Sequence, residues 1–147
     1  MTNAALRAVC APVFGQTRSM DAEATVNLFI ERVVGGDLVG AGELVSDDVE
    51  YDNVPVGKNI GRDALISFLG AMTGGVDSIE FETHRQTCTG DGVMNERTDR
   101  FHIGDAVVSI DVAGVFEVGA DGRIVLWRDY FDLQTYTDQM AAITRQA

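Results

Sequence analysis

The sequence predicts one α+β domain in which helices pack on one face of a mostly antiparallel sheet. Apolar residues recur at helical spacing in the first half of the chain, and the spacing changes to two from residue 78 onward. A chain of 147 residues with 46% hydrophobic composition is long enough to bury a single core. We therefore expect residues 1–147 to form one domain, with its core at about 20–135 and an N-terminal arm or helix at 1–19.

Three helices and one strand are predicted before the spacing changes. The helices carry apolar side chains on one face and are expected over residues 21–34, 38–45 and 62–72. The first should end at Gly35 and Gly36, because glycine commonly follows the last helical turn. A strand is expected over residues 48–54, since Pro55 favours an extended chain before it, and residues 56–60 are expected to form a loop.

Four strands and a last helix are predicted after the spacing changes. The strands alternate between apolar and polar side chains and are expected over residues 78–89, 93–103, 106–118 and 123–131. Turns that contain glycine separate them at residues 90–92, 104–105 and 120–122. Gly114 lies inside the third of these strands and could mark a bulge. Residues 133–143 are expected to form the last helix.

The acidic balance of the chain restricts its partners. There are 23 acidic and 11 basic residues, which gives a formal net charge of −12, and Lys58 is the single lysine. Such a field repels nucleic-acid backbones and anionic membranes, so we expect neither as a partner. No apolar run approaches the roughly 20 residues needed to cross a bilayer, and we expect a cytoplasmic protein.

The sequence gives no support for a metal or an organic cofactor. His84 and His102 stand alone and are expected on the surface, and no pair of cysteines has the spacing of a metal site. The glycine-rich patterns that bind nucleotides are absent. The two cysteines, Cys10 and Cys88, could form one disulfide, but the sequence favours two unpaired thiols.

Three pairs of polar or amphipathic side chains lie at positions i and i+2 on three predicted strands. The pairs are Tyr51 and Asn53, Arg97 and Asp99, and Trp127 and Asp129. Side chains at i and i+2 share one face of a strand, and apolar neighbours flank each pair on that face. If all three faces point to the concave side of the sheet, one pocket holds all six side chains.

These residue types suit acid–base chemistry. Two carboxyl groups in a partly dry site cannot both ionise easily, so one tends to keep a proton. An arginine between them can hydrogen-bond to both, and a tyrosine hydroxyl with an asparagine amide could hold water. Each pair also has a simpler explanation: a strand end with turn residues for Tyr51 and Asn53, a surface ion pair for Arg97 and Asp99, and, on the last strand, a core position for Trp127 and an exposed charge for Asp129.

The motifs resemble those of the limonene-1,2-epoxide hydrolase family. The resemblance rests on Tyr-x-Asn at residues 51–53, Arg-x-Asp at 97–99, and the segment GVFEV followed by DGRIVLWRDYFD. It runs from about residue 22 to residue 135. It implies an NTF2-like (cystatin-like) cone, in which helices close the mouth of a curved, mixed, mostly antiparallel sheet.

The resemblance also implies a reaction and a set of roles. An epoxide would be hydrolysed to a vicinal diol in one step, without a metal or a covalent intermediate. Asp129 would be the general base, and Tyr51 and Asn53 would hold the attacking water. Asp99 would be the general acid, and Arg97 would bridge the two carboxyl groups.

The substrate implied is a small apolar epoxide, of a cyclic or terpene-like kind, and the family commonly forms homodimers. Trp127 is expected to line the pocket. Further pocket walls are expected among Val54, Leu69, Met72, Met94, Phe116 and Phe131. Two alternatives stay open. One is another NTF2-like enzyme, similar to ketosteroid isomerases or polyketide cyclases, and the other is a non-catalytic domain that binds a small molecule.

Overall fold

The structure, a computed structural model, describes residues 21–145. Helices and strands follow one another along these residues as α1 (Ala22–Val34), α2 (Leu38–Glu43), β1 (Val45–Asn53), β2 (Gly57–Ile60), α3 (Arg62–Gly74), β3 (Ser78–Thr89), β4 (Gly92–Ile103), β5 (Ala106–Val118), β6 (Ile124–Phe131) and α4 (Leu133–Thr144). The expected arm at residues 1–19 lies outside the described residues.

The six strands form one sheet in the order β2-β1-β6-β5-β4-β3. Every neighbouring pair is antiparallel except β1 and β6, which run parallel. Helices α1 and α3 pack on the concave face of this curved sheet. The predicted α+β class, with a mixed and mostly antiparallel sheet, is therefore confirmed.

The core lies between α1 and the concave face of the sheet. Val26, Phe29 and Val33 recur at helical spacing on α1, and all three are fully buried. The ring of Phe29 meets the ring of Trp127 on β6 edge to face, with centroids 5.3 Å apart. The helix begins after Asp21, whose carboxylate accepts a hydrogen bond from the backbone N–H of Glu23.

Helix α4 covers the part of β5 that β6 leaves unpaired. The ladder between β5 and β6 begins at Val112, so earlier residues of β5 have a free edge on that side. The side-chain amide of Gln139 bonds to both backbone groups of Ser109, accepting from its N–H at 2.8 Å and donating to its carbonyl at 2.9 Å. This contact holds α4 beside the concave face.

The structure corrects three local predictions. Residues 57–60 form a short strand rather than a loop, because they pair with the second half of β1. Helix α2 ends at Glu43 and β1 begins at Val45, so both boundaries differ from the predicted ones. Gly114 is not in a bulge, because its pairing with both neighbouring strands is regular.

The predictions for the cysteines and histidines have mixed outcomes. Cys88 takes part in a disulfide, so the expectation of an unpaired thiol there is wrong; Cys10 lies outside the described residues. His84 is exposed and contacts Thr98, and His102 is partly exposed and contacts Glu80.

Within residues 21–145 no helix is both long and apolar enough to span a membrane.

Candidate active site

A cavity of about 400 Å³ lies on the concave face of the sheet, beside α3 and α4. Most of the side chains that line it are aromatic or aliphatic. The charged side chains among them are Asp99 and Asp129, and Tyr51 and Asn53 also reach its surface. The cavity is thus an apolar chamber with one group of polar side chains, which is a common form of a small-molecule site.

Strand register brings the three predicted pairs together. Tyr51 and Asn53 on β1 lie beside Trp127 and Asp129 on β6, residue for residue. Asp129 lies opposite Gly114 on β5, and β5 in turn pairs with β4, which carries Arg97 and Asp99. Because partners in register share a face, all six side chains point to the concave side.

Arg97 joins the two carboxyl groups. Its Nε and Nη2 atoms donate to the two oxygens of Asp99 at 2.8 and 3.2 Å, and Nη2 also donates to Oδ2 of Asp129 at 2.5 Å. The Arg97 side chain has no solvent exposure, and Asp99 and Asp129 are 4% and 5% exposed. The alternative of a surface ion pair is therefore wrong, and the three groups form one buried cluster.

Gly114 makes this arrangement possible. The strand β5 separates β4 from β6, so the Arg97 side chain must cross β5 to reach Asp129. A Cβ atom at position 114 would overlap Nη1 of Arg97 and would lie 2.6 Å from Oδ1 of Asn95. Glycine inside a strand marks either a bulge or a close approach of another group, and here it marks the approach.

The second oxygen of Asp129 is held by Trp127. The indole Nε1 donates to Oδ1 of Asp129 at 2.7 Å, while Oδ2 accepts from Arg97. The indole itself is held by the ring of Phe116 at a centroid distance of 5.7 Å and by that of Tyr51 at 4.4 Å. Trp127 thus lines the cavity, packs in the core and fixes the orientation of the carboxylate.

Asn53 has an unused hydrogen-bond acceptor next to Asp129. Its Oδ1 atom is buried and has no hydrogen-bond partner within residues 21–145. Burial, with a smaller effect from Asp129, raises the pKa of Tyr51, so its hydroxyl stays protonated and can both donate and accept. A buried acceptor without a partner is costly unless water or a ligand satisfies it.

Burial dominates the acidity of the two carboxyl groups. Desolvation raises the pKa of Asp99 from 3.8 to about 6, although the contacts with Arg97 oppose this change. Desolvation also raises the pKa of Asp129, against the hydrogen bonds from Arg97 and Trp127. The cluster holds one guanidinium and two carboxyl groups, so it is neutral when one carboxyl keeps its proton. In a dry site that state is favoured.

Of the seven side chains that were expected to line the pocket, three line the cavity and four do not. Trp127, Met72 and Phe131 line the cavity. Leu69 does not, because it points into the core and is fully buried, and Phe116 does not, because it is fully buried against Trp127.

Met94 does not line the cavity either, because it lies between two inward-facing residues of β4 and so points to the convex face, where it is 54% exposed. Val54, which lies just after β1 and is 42% exposed, is also not among the lining residues.

Several lining residues were not predicted. Phe81 on β3 pairs with Asp99, and Phe101 lies two residues after Asp99 on β4. The same rule of alternation could have found both. Tyr136 and Met140 come from α4, and their position depends on how that helix docks. Asn95, which contacts Arg97, shares the inward face of β4 and could have been added by parity.

Comparison with known proteins finds relatives over most of the chain. Residues 20–142 match the family described as the limonene-1,2-epoxide hydrolase catalytic domain. Epoxide hydrolase EphG of Mycobacterium tuberculosis is 39% identical over 108 residues, which cover 74% of this chain and 71% of that protein. A solved structure of an LEH-like epoxide hydrolase from the same organism has 34% identity and a TM-score of 0.72. That match covers 86% of this chain and 96% of the other.

A SnoaL-like polyketide cyclase from Shewanella denitrificans superimposes with a TM-score of 0.75 at 18% identity, covering 82% of this chain and 97% of that one. At this identity the likeness concerns the fold alone, and it confirms the NTF2-like cone that the sequence implied. The family match and the M. tuberculosis relatives carry the argument further, because they cover most of the chain at higher identity. The chain therefore belongs to the limonene-1,2-epoxide hydrolase family and is an epoxide hydrolase.

Proposed function

We propose that this epoxide hydrolase adds water to a small, neutral, apolar epoxide in one acid- and base-assisted step and releases a vicinal diol. The observation that carries the proposal is the bridge that Arg97 makes between Asp99 and Asp129. Both carboxyl groups reach the surface of an otherwise apolar cavity, so a bound epoxide can contact an acid and a base together.

Asp129 is the general base in this proposal. Arg97 and Trp127 each occupy one of its oxygens, which fixes the plane of the carboxylate. A carboxylate has about four lone-pair positions, so both oxygens can still accept a proton from water. Burial raises the pKa of Asp129, and this makes the ionised form a stronger base than an exposed aspartate.

The attacking water is held by Tyr51, Asn53 and Asp129. The support for this is the unpartnered Oδ1 atom of Asn53, on the residue that lies beside Asp129 in the sheet. Water that donates one hydrogen to this oxygen and the other to Asp129 points a lone pair away from both. The Tyr51 hydroxyl, two residues before Asn53 on the same face, completes the group.

Asp99 is the general acid. Its raised pKa of about 6 leaves it able to keep a proton at mildly acidic to neutral pH. As the water oxygen attacks one epoxide carbon, its proton passes to Asp129. The bond from that carbon to the epoxide oxygen breaks, and this oxygen takes the proton from Asp99. Transfer of one proton from Asp129 to Asp99 then restores the starting state.

The cavity favours a neutral substrate. No lysine or arginine is among its lining residues within the described chain, and its two charged groups are carboxyls. A carboxylate or phosphate on the substrate would have no partner there and would meet the overall charge of −12. A cyclic epoxide of the size of limonene-1,2-epoxide is the class we propose.

The decisive experiment measures diol formation from limonene-1,2-epoxide and cyclohexene oxide by chiral gas chromatography. The parent should form diol, and Asp99→Asn and Asp129→Asn should lose about 10²–10⁴-fold of that activity while remaining folded. No diol from the folded parent with any epoxide would end the proposal. Substantial activity in Asp129→Asn would mean that another group is the base.

A single-turnover reaction in ¹⁸O-labelled water tests the one-step mechanism. Direct attack of water places the label in the first diol formed. An ester intermediate on an aspartate would instead place an unlabelled protein oxygen in that diol.

The homodimer and the cytoplasmic location remain predictions. Light scattering after size-exclusion chromatography tests the first of them.

A further inference from the structure

We propose that Asn95 and Gln86 are positioning residues, which hold Arg97 in place for the reaction through a chain of hydrogen bonds that ends on α1. This inference rests on the proposed function, because it assigns a task to Arg97 in acid–base catalysis. Neither residue touches the cavity or the two carboxyl groups that would react. Their effect must therefore act through Arg97.

The chain of hydrogen bonds consists of four bonds. Nη1 of Arg97 donates to Oδ1 of Asn95 at 3.1 Å, and Nδ2 of Asn95 donates to Oε1 of Gln86 at 3.3 Å. Nε2 of Gln86 then donates to Oε1 of Glu23 at 3.1 Å and to Oδ1 of Asn27 at 2.9 Å. This chain of hydrogen bonds runs from the Arg97 guanidinium, which has no solvent exposure, to the solvent-facing side of α1.

The chemistry of the groups fixes the direction of this chain. A guanidinium only donates hydrogen bonds, so Asn95 must turn its oxygen to Arg97 and its NH₂ group to Gln86. Gln86 must then turn its oxygen to Asn95, which leaves its own NH₂ group in need of an acceptor. The carboxylate of Glu23 is an acceptor that cannot turn the other way. Both ends therefore specify the same orientation of both amides.

The bridge needs this support because of Gly114. Arg97 crosses β5 where there is no side chain, so it does not rest against a side chain at that position. Its Nε and Nη2 atoms are held by the carboxyl groups, and within residues 21–145 Asn95 accepts from Nη1. Without that acceptor Nη1 is a buried donor that has lost its partner, and a shift of the guanidinium toward another acceptor would move Nη2 away from Asp129. Small misplacements of this kind cost about 10²-fold in rate.

The oxygen of Asn95 also has an electrostatic effect. It places partial negative charge against the guanidinium, which weakens the effect by which Arg97 lowers the pKa of Asp99 and Asp129. When this oxygen is removed, the guanidinium is shared by the two carboxyls alone. Asp99, which keeps its two contacts with Arg97, should then lose its proton more easily, whereas Asp129 should hold its proton more tightly because Nη2 moves away from it. A contact that only ties α1 to β3 would not have this consequence.

Two leucine variants test the proposal, because leucine keeps the approximate size of each amide. Asn95→Leu should lower kcat about 10²-fold while KM changes little. It should also move the alkaline limb of the pH profile of kcat/KM to lower pH by about half a unit or more, as loss of a hydrogen bond to a charged group predicts. Gln86→Leu should produce smaller changes of the same sign. Gln134→Leu on α4, which removes an exposed amide, is the matched control and should change neither quantity.

A charge-conserving exchange supplies the rescue. In Gln86→Glu with Glu23→Gln, residue 86 still accepts from Asn95, and residue 23 now donates to residue 86. This double variant should recover most of the kcat that Gln86→Leu loses. Loss of thermal stability without any change in kcat or pH profile in the leucine variants would overturn the proposal, as would a double variant no better than Gln86→Leu. If Asn95→Leu does not fold, the Gln86 series decides alone.

Carbon-13 NMR titration of the Asp99 and Asp129 carboxyl groups separates this inference from the proposed function. If the parent forms no diol, the proposed function fails, yet the titration still measures both carboxyl pKa values. A lower pKa of Asp99 together with a higher pKa of Asp129 in both leucine variants supports the positioning role, and unchanged values overturn it. If the parent forms diol but the titrations of the variants match that of the parent, the inference fails alone.

Discussion

Arg97 occupies the space that a side chain at position 114 would fill. Because position 114 carries no side chain, the Arg97 guanidinium reaches carboxyl groups on both β4 and β6, two strands that are not neighbours in the sheet. Gly114 therefore belongs to the candidate site although it contributes no functional group.

We expect Gly114→Ala to lower kcat by at least about 10²-fold, because the added methyl group overlaps Nη1 of Arg97 and displaces a guanidinium that is hydrogen-bonded on three sides. Assays of kcat and of melting temperature with the same preparation check this expectation. Gly74→Ala is the matched control, because a Cβ atom there meets nothing within 4 Å. Full activity in Gly114→Ala would mean that the bridge tolerates a shift of Arg97.

Parity along strands was enough to bring together the polar side chains of the candidate site. Positions i and i+2 on three strands gave Tyr51, Asn53, Arg97, Asp99, Trp127 and Asp129, and the register of β1, β4, β5 and β6 places them on one face. Met94 has the opposite parity, which places it on the convex face.

The sequence could not show how deeply each inward-facing side chain is buried. Leu69 and Phe116 are both inward-facing, yet neighbouring groups bury them completely, and only packing decides which inward side chain meets a cavity. The role of Gly114 was equally hidden, because a bulge and a close approach leave the same signal in one sequence. The position of α4 depends on the contact between Gln139 and Ser109, which no local pattern predicts.

The rate of diol formation should depend on pH through Asp99. Because the acid must carry a proton, kcat/KM should fall as pH rises through the pKa of about 6. At low pH the rate should fall again, since Asp129 must be ionised. Initial rates across this range with a neutral epoxide check both limbs, whose apparent pKa values belong to the coupled pair. A rate that stays constant as pH rises well above 6 would argue against Asp99 as the acid.

The raised pKa of Asp99 also makes the stability of the protein depend on pH. A carboxyl that binds its proton more tightly when folded stabilises the protein below its unfolded pKa, and this contribution disappears as pH rises through the folded value. The free energy of unfolding of the parent, minus that of Asp99→Asn, should therefore decrease between pH 4 and pH 6. At about 1.4 kcal/mol for each pKa unit, the change from 3.8 to about 6 gives roughly 3 kcal/mol over the whole titration, from pH below 3.8 to pH above 6.

Urea unfolding of both proteins at several pH values measures this difference. Effects of other carboxyl groups that titrate alike in both proteins cancel in the subtraction. A difference that increases with pH would show that the ion pair with Arg97 outweighs desolvation at Asp99, contrary to our assignment.

Trp127→Phe should lower the fraction of Asp129 that is ionised and should leave its carboxylate less well oriented. The indole donates to the ionised carboxylate at 2.7 Å, so its loss raises the pKa of Asp129 further and leaves one oxygen free to turn. We expect kcat to fall about 10-fold or more and the acidic limb of the pH profile to move to higher pH. The pH profile separates this effect from lost packing, because a packing defect alone would leave the limb in place.

Two residues on α3 test the boundary between cavity wall and core. Met72 lines the cavity, whereas Leu69, one turn earlier on the same helix, is fully buried in the core. Met72→Ala should therefore enlarge the chamber and change the ratio of kcat/KM between a bulky and a small epoxide by about 10-fold or more, at moderate cost in stability.

Leu69→Ala should cost about 2–5 kcal/mol of stability, as deletion of a buried leucine does, and should leave the ratio of kcat/KM nearly unchanged. Competition assays with cyclohexene oxide and a larger terpene epoxide, together with urea unfolding, measure both quantities. If Leu69→Ala changed the substrate ratio as strongly as Met72→Ala, the wall of the chamber would extend deeper than the structure places it. Because the two side chains are of similar size and share one helix, the contrast depends on which of them meets the substrate.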